Sequence, residues 1–360
     1  MDLNINQLLQ KAIEAHRKED YEKATKFYKK ILRRQPKNFN IYNNLGITLK
    51  KQKKIIKAEE VFKTAINLNP NFVDAYYNLG NLLRDKKRYQ DALDCYKDAI
   101  ALNPNFLEAY YNSATIFKNL SKYKEATTNY KKVLQLNPNL LEVKHLIASI
   151  SGKTTDTAPR AYVEKLFDTY ASEFDESLVN ELDYKIPKVI YDLLINEKSL
   201  NPLGSILDLG CGTGLVGLEL KKFSSRLVGV DLSNLMLAKA REKNVYDELI
   251  HQDIKDYLSN ENLKYDYFIF ADVFIYIGKL DEIFKLIKLR NFSKGKLIFT
   301  LELTDKSDFF LEKSGRYSHS KSYIDKLCIK NNYKILYSKK INLRKENNEM
   351  IQSILYLLDF

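Results

Sequence analysis

Tryptophan is absent from the 360 residues, cysteine occurs three times, and no apolar run approaches the roughly 18 to 20 residues that a bilayer crossing needs. Cys95, Cys211 and Cys328 are odd in number, far apart and without metal-ligand spacing. That pattern argues against a disulfide framework and against a zinc site, and predicts free thiols and no bound metal. The opening MDLNINQLLQKAIEAHRKED lacks the apolar core of a secretory signal peptide, so a soluble cytoplasmic protein is expected. The missing tryptophan, beside abundant Lys, Asn, Ile and Tyr, follows base composition more readily than function.

The length suffices for two domains, each with a core of its own. The net charge of +12 is unevenly shared. Residues 1–150 hold 27 Lys+Arg against 15 Asp+Glu, whereas residues 151–360 hold 31 of each. A neutral second half argues against a basic groove that acts on nucleic acid directly, and leaves the basic first half to an acidic partner, to RNA or to solvent.

Pro36, Pro70, Pro104 and Pro138 recur every 34 residues. Aligning units 5–38, 39–72, 73–106 and 107–140 puts Ala24, Ala58, Ala92 and Ala126 in one column, and Tyr28, Phe62, Tyr96 and Tyr130 in another. A small residue lets two helices approach, an aromatic fills the gap, and Asn-Pro ends the second helix. The first helices carry Tyr42, Leu45 and Gly46, then Tyr76, Leu79 and Gly80, then Tyr110, Ser113 and Ala114. Period, columns and proline position resemble the tetratricopeptide repeat (TPR). The first unit departs, with Leu8, Lys11 and Ala12 at those positions, and 141–150 reads as a closing helix. The resemblance implies an all-α solenoid whose concave face cradles a peptide or protein. Asn44, Asn78 and Asn112 form one column there and Lys50, Arg84 and Lys118 another, suited to a peptide backbone and to acidic side chains.

Beyond residue 150, apolar runs at 205–209, 226–230, 247–250, 266–271 and 296–302 alternate with helical patterns, which predicts an open parallel sheet covered on both faces. The first run ends in a glycine turn, Asp208-Leu209-Gly210-Cys211-Gly212-Thr213-Gly214, and the second ends in Asp231, an acid placed to hold ribose hydroxyls. Gly212, Gly214 and Gly217 also satisfy the dinucleotide pattern GxGxxG, which is weak by itself. Asp208 shifts the balance, because Asp-x-Gly-x-Gly-x-Gly resembles the S-adenosylmethionine site of class I methyltransferases.

That resemblance extends through Asp253 after the third run, 265-YDYFIFADVFIYI-277 at the fourth, and a closing antiparallel pair at 333–340 and 351–360. It implies a Rossmann-like α/β domain over 151–360. Asp208, Gly210, Cys211, Gly212 and Gly214 would face the methionine part of the cofactor, Asp231 the ribose, and Leu232, Asp253 and Ile254 the adenine. Each has a plainer role available, since the acids can cap helices and Ile254 can be core.

Two segments are expected to wall the acceptor. Residues 160–180 resemble the aromatic lead-in helix of small-molecule methyltransferases, with Tyr162 and Tyr170 as its candidates and Phe167 and Phe174 equally suited to core packing. The loop 314-SGRYSHSKSYIDKL-327 resembles the Gly-Arg-Tyr-x-His element of the bacterial group that joins TPR repeats to a methyltransferase. It nominates His319 as general base, Arg316 as anion holder, and Tyr317 and Tyr323 as substrate contacts. His251, inside an apolar run, reads as buried structure, and His16 and His145 as parts of repeat helices. The expected activity is methyl transfer from S-adenosylmethionine to a small-molecule or carrier-bound acceptor. The alternatives are a protein methyltransferase whose repeats recruit substrate, and a scaffold that binds the cofactor without turnover.

Overall fold

A computed structural model describes residues 3–176, 178, 183–197, 203–346 and 349–360. The chain divides into two compact units, Met1–Leu140 and Leu141–Phe360. Among the described residues no helix is long and apolar enough to cross a membrane.

The first unit is four helix pairs: α1 (Ile5–Arg17) with α2 (Tyr21–Arg34), α3 (Phe39–Lys51) with α4 (Ile55–Leu68), α5 (Val73–Asp85) with α6 (Tyr89–Leu102), and α7 (Leu107–Asn119) with α8 (Tyr123–Leu136). The aligned columns are its core. Ala24, Ala58, Ala92 and Ala126 are wholly enclosed, and so are Phe62, Tyr96 and Tyr130. A Cβ on Gly46 would lie 2.5 Å from the Phe62 ring, and one on Gly80 2.6 Å from Tyr96. Small residue and aromatic therefore meet face to face, as the period requires. Each turn inside a pair carries a left-handed residue, Glu19, Lys53, Lys87 or Ser121, which no proline or glycine announces. At the pair junctions Asn69, Asn103 and Asn137 accept from the N–H two residues on, closing the turn across each proline.

The second unit opens with α9 (Leu141–Ser151), α10 (Arg160–Tyr170) and α11 (Ile186–Glu197). Helix α9 is the expected closing helix, yet it is part of this unit. Its buried His145 places Nε2 2.9 Å from the Gly315 carbonyl oxygen. Helix α10 ends at Tyr170, ten residues before the expected lead-in helix would, and residues 177 and 179–180 of that span lie outside the described residues.

There follow β1 (Leu203–Leu209), α12 (Leu215–Leu220), β2 (Ser224–Asp231), α13 (Asn234–Lys243), β3 (Glu248–His251), α14 (Ile254–Leu258), β4 (Tyr265–Phe270), α15 (Asp281–Leu289) and β5 (Asn291–Leu303). Then come β6 (Phe309–Leu311), β7 (Tyr317–His319), α16 (Lys321–Asn331), β8 (Lys334–Glu346) and β9 (Glu349–Asp359). Strands run β3-β2-β1-β4-β5 in parallel; β9 pairs antiparallel with β5 over Lys296–Glu302, and β8 pairs with β9. Alternation decides the two faces. Leu207, Leu209, Phe268, Phe270, Leu297 and Phe299 form one core with Ile283, Phe284, Ile324 and Leu327 of α15 and α16. Ile206, Tyr267, Ile269 and Ile298 form the other with Ile190 and Val216 of α11 and α12. Strand order reverses between β1 and β4, so the ligand crevice lies at their carboxyl ends.

The column of small residues tolerates Ala where the fourth repeat has Ala114, but the Tyr96 ring is held by its hydroxyl donating to Asn81 at 2.7 Å. Gly80→Ala is expected to destabilise the repeat unit by about 1–3 kcal/mol through overpacking. Urea unfolding checks this, and a midpoint at or above that of the parent chain would contradict it.

Candidate functional site

The glycine turn takes its shape from its backbone. Gly210, Gly212 and Gly214 all have positive φ, +75°, +53° and +89°. A side chain on Gly210 would in addition run into Val273, its Cβ 2.5 Å from Cγ2. Two N–H groups, of Gly210 and Cys211, bond the Val230 carbonyl, binding the turn to the end of β2.

There Asp231 is almost enclosed. Its carboxylate accepts from the N–H of Gly212 at 2.8 Å and from the N–H of Ser233 at 2.8 Å. Asp208, at the end of β1 and 1 % exposed, accepts from the Tyr246 hydroxyl at 2.6 Å, and its second oxygen Oδ1 is buried with no partner. Burial dominates both carboxyls: it pushes Asp208 up to about 7 and raises Asp231, against the pull of their hydrogen bonds. Among the described residues no Lys or Arg side chain bonds either one. Tyr246 was not legible as a site residue. Its ring lies where a Cβ on Gly214, Gly217 or Gly229 would fall, 2.9, 2.6 and 2.9 Å away, so three glycines make room for the one hydroxyl that reaches Asp208.

The remaining expected cofactor residues sit at the same ends. Cys211 is buried, which pushes its thiol up, away from reactivity. The Leu232 carbonyl lies 2.9 Å from His251 Nε2; that histidine is exposed at the end of β3, not buried as expected, because β3 is an edge strand. Ile254 is partly buried against the core. Asp253 caps α14 through the N–H of Lys255 and Asp256, and its other oxygen lies 3.0 Å from Arg160 Nε.

The loop after β5 departs from expectation. His319 is fully buried; its Nε2 lies 3.0 and 2.9 Å from the carbonyls of Ile277 and Gly278, and desolvation lowers its pKa to about 4. A ring closed to solvent and donating to two carbonyls is a tie between loops, not a base for an acceptor. Tyr317 and Tyr323 are likewise buried, the first 2.6 Å from Thr155 Oγ1, the second donating to Asp281 at 2.9 Å, so neither is a substrate contact. Arg316 faces Glu302 at the end of β5, Nε to Oε1 3.4 Å, and both are mostly buried. Its charge is thus balanced within the chain. Tyr162 is partly buried and close to Arg316, while Tyr170 is 57 % exposed. Phe167 packs edge-on against Phe174 and Tyr276, ring centroids 6.0 and 5.3 Å apart.

In the repeat unit the asparagine column is occupied by the fold itself. Asn78 donates to Asn43 of the preceding repeat at 3.0 Å, and Asn112 to Asn81 at 2.8 Å. Those amides stitch repeats together through Nδ2 while remaining partly exposed. Lys50 and Arg84 converge on Asp85, at 2.5 and 2.9 Å. Asn44 and Lys118 stand at the equivalent positions of their own helices.

Family models match the tetratricopeptide repeat at residues 73–106 and 107–140, with further repeat models at 8–38, 27–60 and 51–83, and a methyltransferase domain at 206–289. No curated protein matches the chain significantly. Among solved structures it is similar to MamA of Desulfovibrio magneticus RS-1 (20% identity, 41% of this chain and 83% of that one covered, TM-score 0.38). It is similar also to the magnesium protoporphyrin IX methyltransferase of Synechocystis PCC 6803 with bound SAM (17% identity, 57% and 99% covered, TM-score 0.44). A third is a SAM-dependent methyltransferase of Leishmania major (15% identity, 55% and 82% covered, TM-score 0.46).

The buried carboxyl of Asp208 makes stability depend on pH. Its folded pKa of about 7 lies above the ordinary 3.8, so the folded chain holds a proton that the unfolded chain releases in that window. The associated stability is fully present below about pH 3.8 and is lost as the pH rises through about 7. Asp208→Asn has no such proton. Its unfolding free energy relative to the parent chain is expected to rise by at least about 1 kcal/mol from pH 5 to pH 8. Parallel pH curves for the two chains would remove the buried-charge argument.

Proposed function

We propose that this chain, in which tetratricopeptide repeats are joined to a methyltransferase domain, transfers a methyl group from S-adenosylmethionine to a small-molecule or carrier-bound acceptor, with the repeats docking a protein or peptide. The observation that carries the cofactor is the pair of buried carboxyls, Asp208 and Asp231, to neither of which a Lys or Arg side chain bonds among the described residues. A buried anion without a cation is costly, so the crevice favours a ligand that brings positive charge, as a sulfonium and an ammonium do. A dinucleotide needs the reverse. Its pyrophosphate takes the turn's N–H groups, and here the Gly212 N–H is already given to Asp231.

In this reading Asp208 and the turn of Gly210, Cys211, Gly212 and Gly214 hold the methionine part, Asp231 the ribose, and Leu232, Asp253 and Ile254 the adenine end. The bound cofactor supplies an electrophilic methyl, and the chain's own part is alignment and exclusion of water. Tyr162, Tyr170 and the Arg316–Glu302 pair form the polar wall left for the acceptor. With His319 enclosed, Glu302 is the carboxylate of that wall, and an acceptor that ionises readily needs no base.

Asp231→Ala is expected to weaken binding of S-adenosylhomocysteine at least about tenfold, about 1.4 kcal/mol, by titration calorimetry. Unchanged affinity would remove the ribose assignment. Labelled methyl incubated with cell extract and full-length protein is expected in the small-molecule or carrier fraction and to vanish with Asp231→Ala. Label in a protein band would transfer the repeats' role to substrate recruitment, and tight binding without any label would leave a cofactor-binding scaffold.

A further inference from the structure

Helix α10 buries none of its residues completely. Tyr162, Val163 and Phe167 pack in part and Ala171 is enclosed in the turn after it; beside that packing, residues 160–176 are held by polar anchors on the connections that follow β1, β2 and β3. Arg160 pairs with Asp253 at 3.0 Å and, through both terminal nitrogens, with Asp256 at 2.6 and 2.8 Å. The Ser233 hydroxyl donates to Asp168. Asp175 accepts from the Thr213 hydroxyl and from Lys243 at 2.6 Å, and Lys243 also donates to the Thr213 carbonyl at 2.7 Å.

Two of these anchors flank a single group. The N–H donors of Asp231 belong to Gly212 and Ser233. Asp175 grips the residue after the first, and Asp168 grips the side chain of the second. Ser233 and Thr213 are themselves enclosed, at 0 % and 2 % exposure, so the anchoring carboxylates reach into the walls of the crevice and not merely across its rim. On the side of β4, Phe167 closes against Tyr276. An element with little buried apolar surface and a few charged hydrogen bonds opens locally at low cost, and opens as those bonds break.

We propose that residues 160–176 are a latched strap over the cofactor crevice, and that Asp168 and Asp175 are positioning residues whose release admits and discharges the cofactor. The strap holds both donors of Asp231 in place while it is latched, so closure and ribose binding support each other; cofactor exchange requires the Asp175–Lys243 and Asp168–Ser233 contacts to part. This rests on the cofactor reading above.

The test is stopped-flow dissociation of S-adenosylhomocysteine from the full chain, compared with Asp175→Asn, Asp168→Asn and Asp175→Glu. Hydrogen exchange of amides 163–170 is measured alongside in the ligand-free proteins. Expected are an off-rate roughly tenfold faster in each Asn variant, partial return in Asp175→Glu, and faster strap exchange in the Asn variants. If the parent chain does not bind the ligand at all, the cofactor reading fails and gating falls with it. If it binds and the off-rates are equal, gating alone is overturned; if strap exchange is also unchanged, the carboxylates are no latch.

Discussion

The carboxylate of Asp231 is the group around which the crevice is arranged. By accepting from Gly212 and from Ser233 it ties the turn after β1 to the turn after β2, and the two turns cannot move apart without stranding a buried anion. The left-handed glycines and the enclosed Ser233 serve that geometry. Asp208 sits one strand end away with an oxygen left over. The outcome is a crevice with two buried carboxyls whose charged forms burial disfavours.

The surroundings divide between rigid and releasable parts. The Gly-Arg-Tyr-x-His loop is rigid: Gly315 meets His145, Tyr317 meets Thr155, and His319 spans two carbonyls. It fastens the N-terminal helices of the second unit to the sheet, and it delivers Arg316 to Glu302. The strap is releasable, because no residue of α10 is fully enclosed and charged hydrogen bonds hold its edges.

Periodic burial made the repeats readable, since the alanine column and the aromatic column must be enclosed in every unit, with Gly46 and Gly80 making room for Phe62 and Tyr96, for the units to stack. Strand ends were readable for a similar reason: an acid or a glycine closing an apolar run interrupts burial visibly. The roles of His319, Tyr317 and the asparagine column were not. Polar residues in a loop or on a helix face look alike in sequence whether they meet a ligand or a neighbouring carbonyl, and distance in the chain hides the partner. His145 and Gly315 are 170 residues apart, and nothing local to either announces the contact.

The amino-acid sequence by itself determined the repeat period, the parallel sheet and the glycine turn with its acids, because each is written in local burial pattern and backbone freedom. Tertiary structure alone decided which polar groups are spent inside the fold. Asn78 and Asn112 went to adjacent repeats, His319 to two backbone carbonyls, and Asp168 and Asp175 to the walls of the crevice. A hydrogen bond is settled by which donor and acceptor arrive together out of water, and that meeting exists only once the chain is folded.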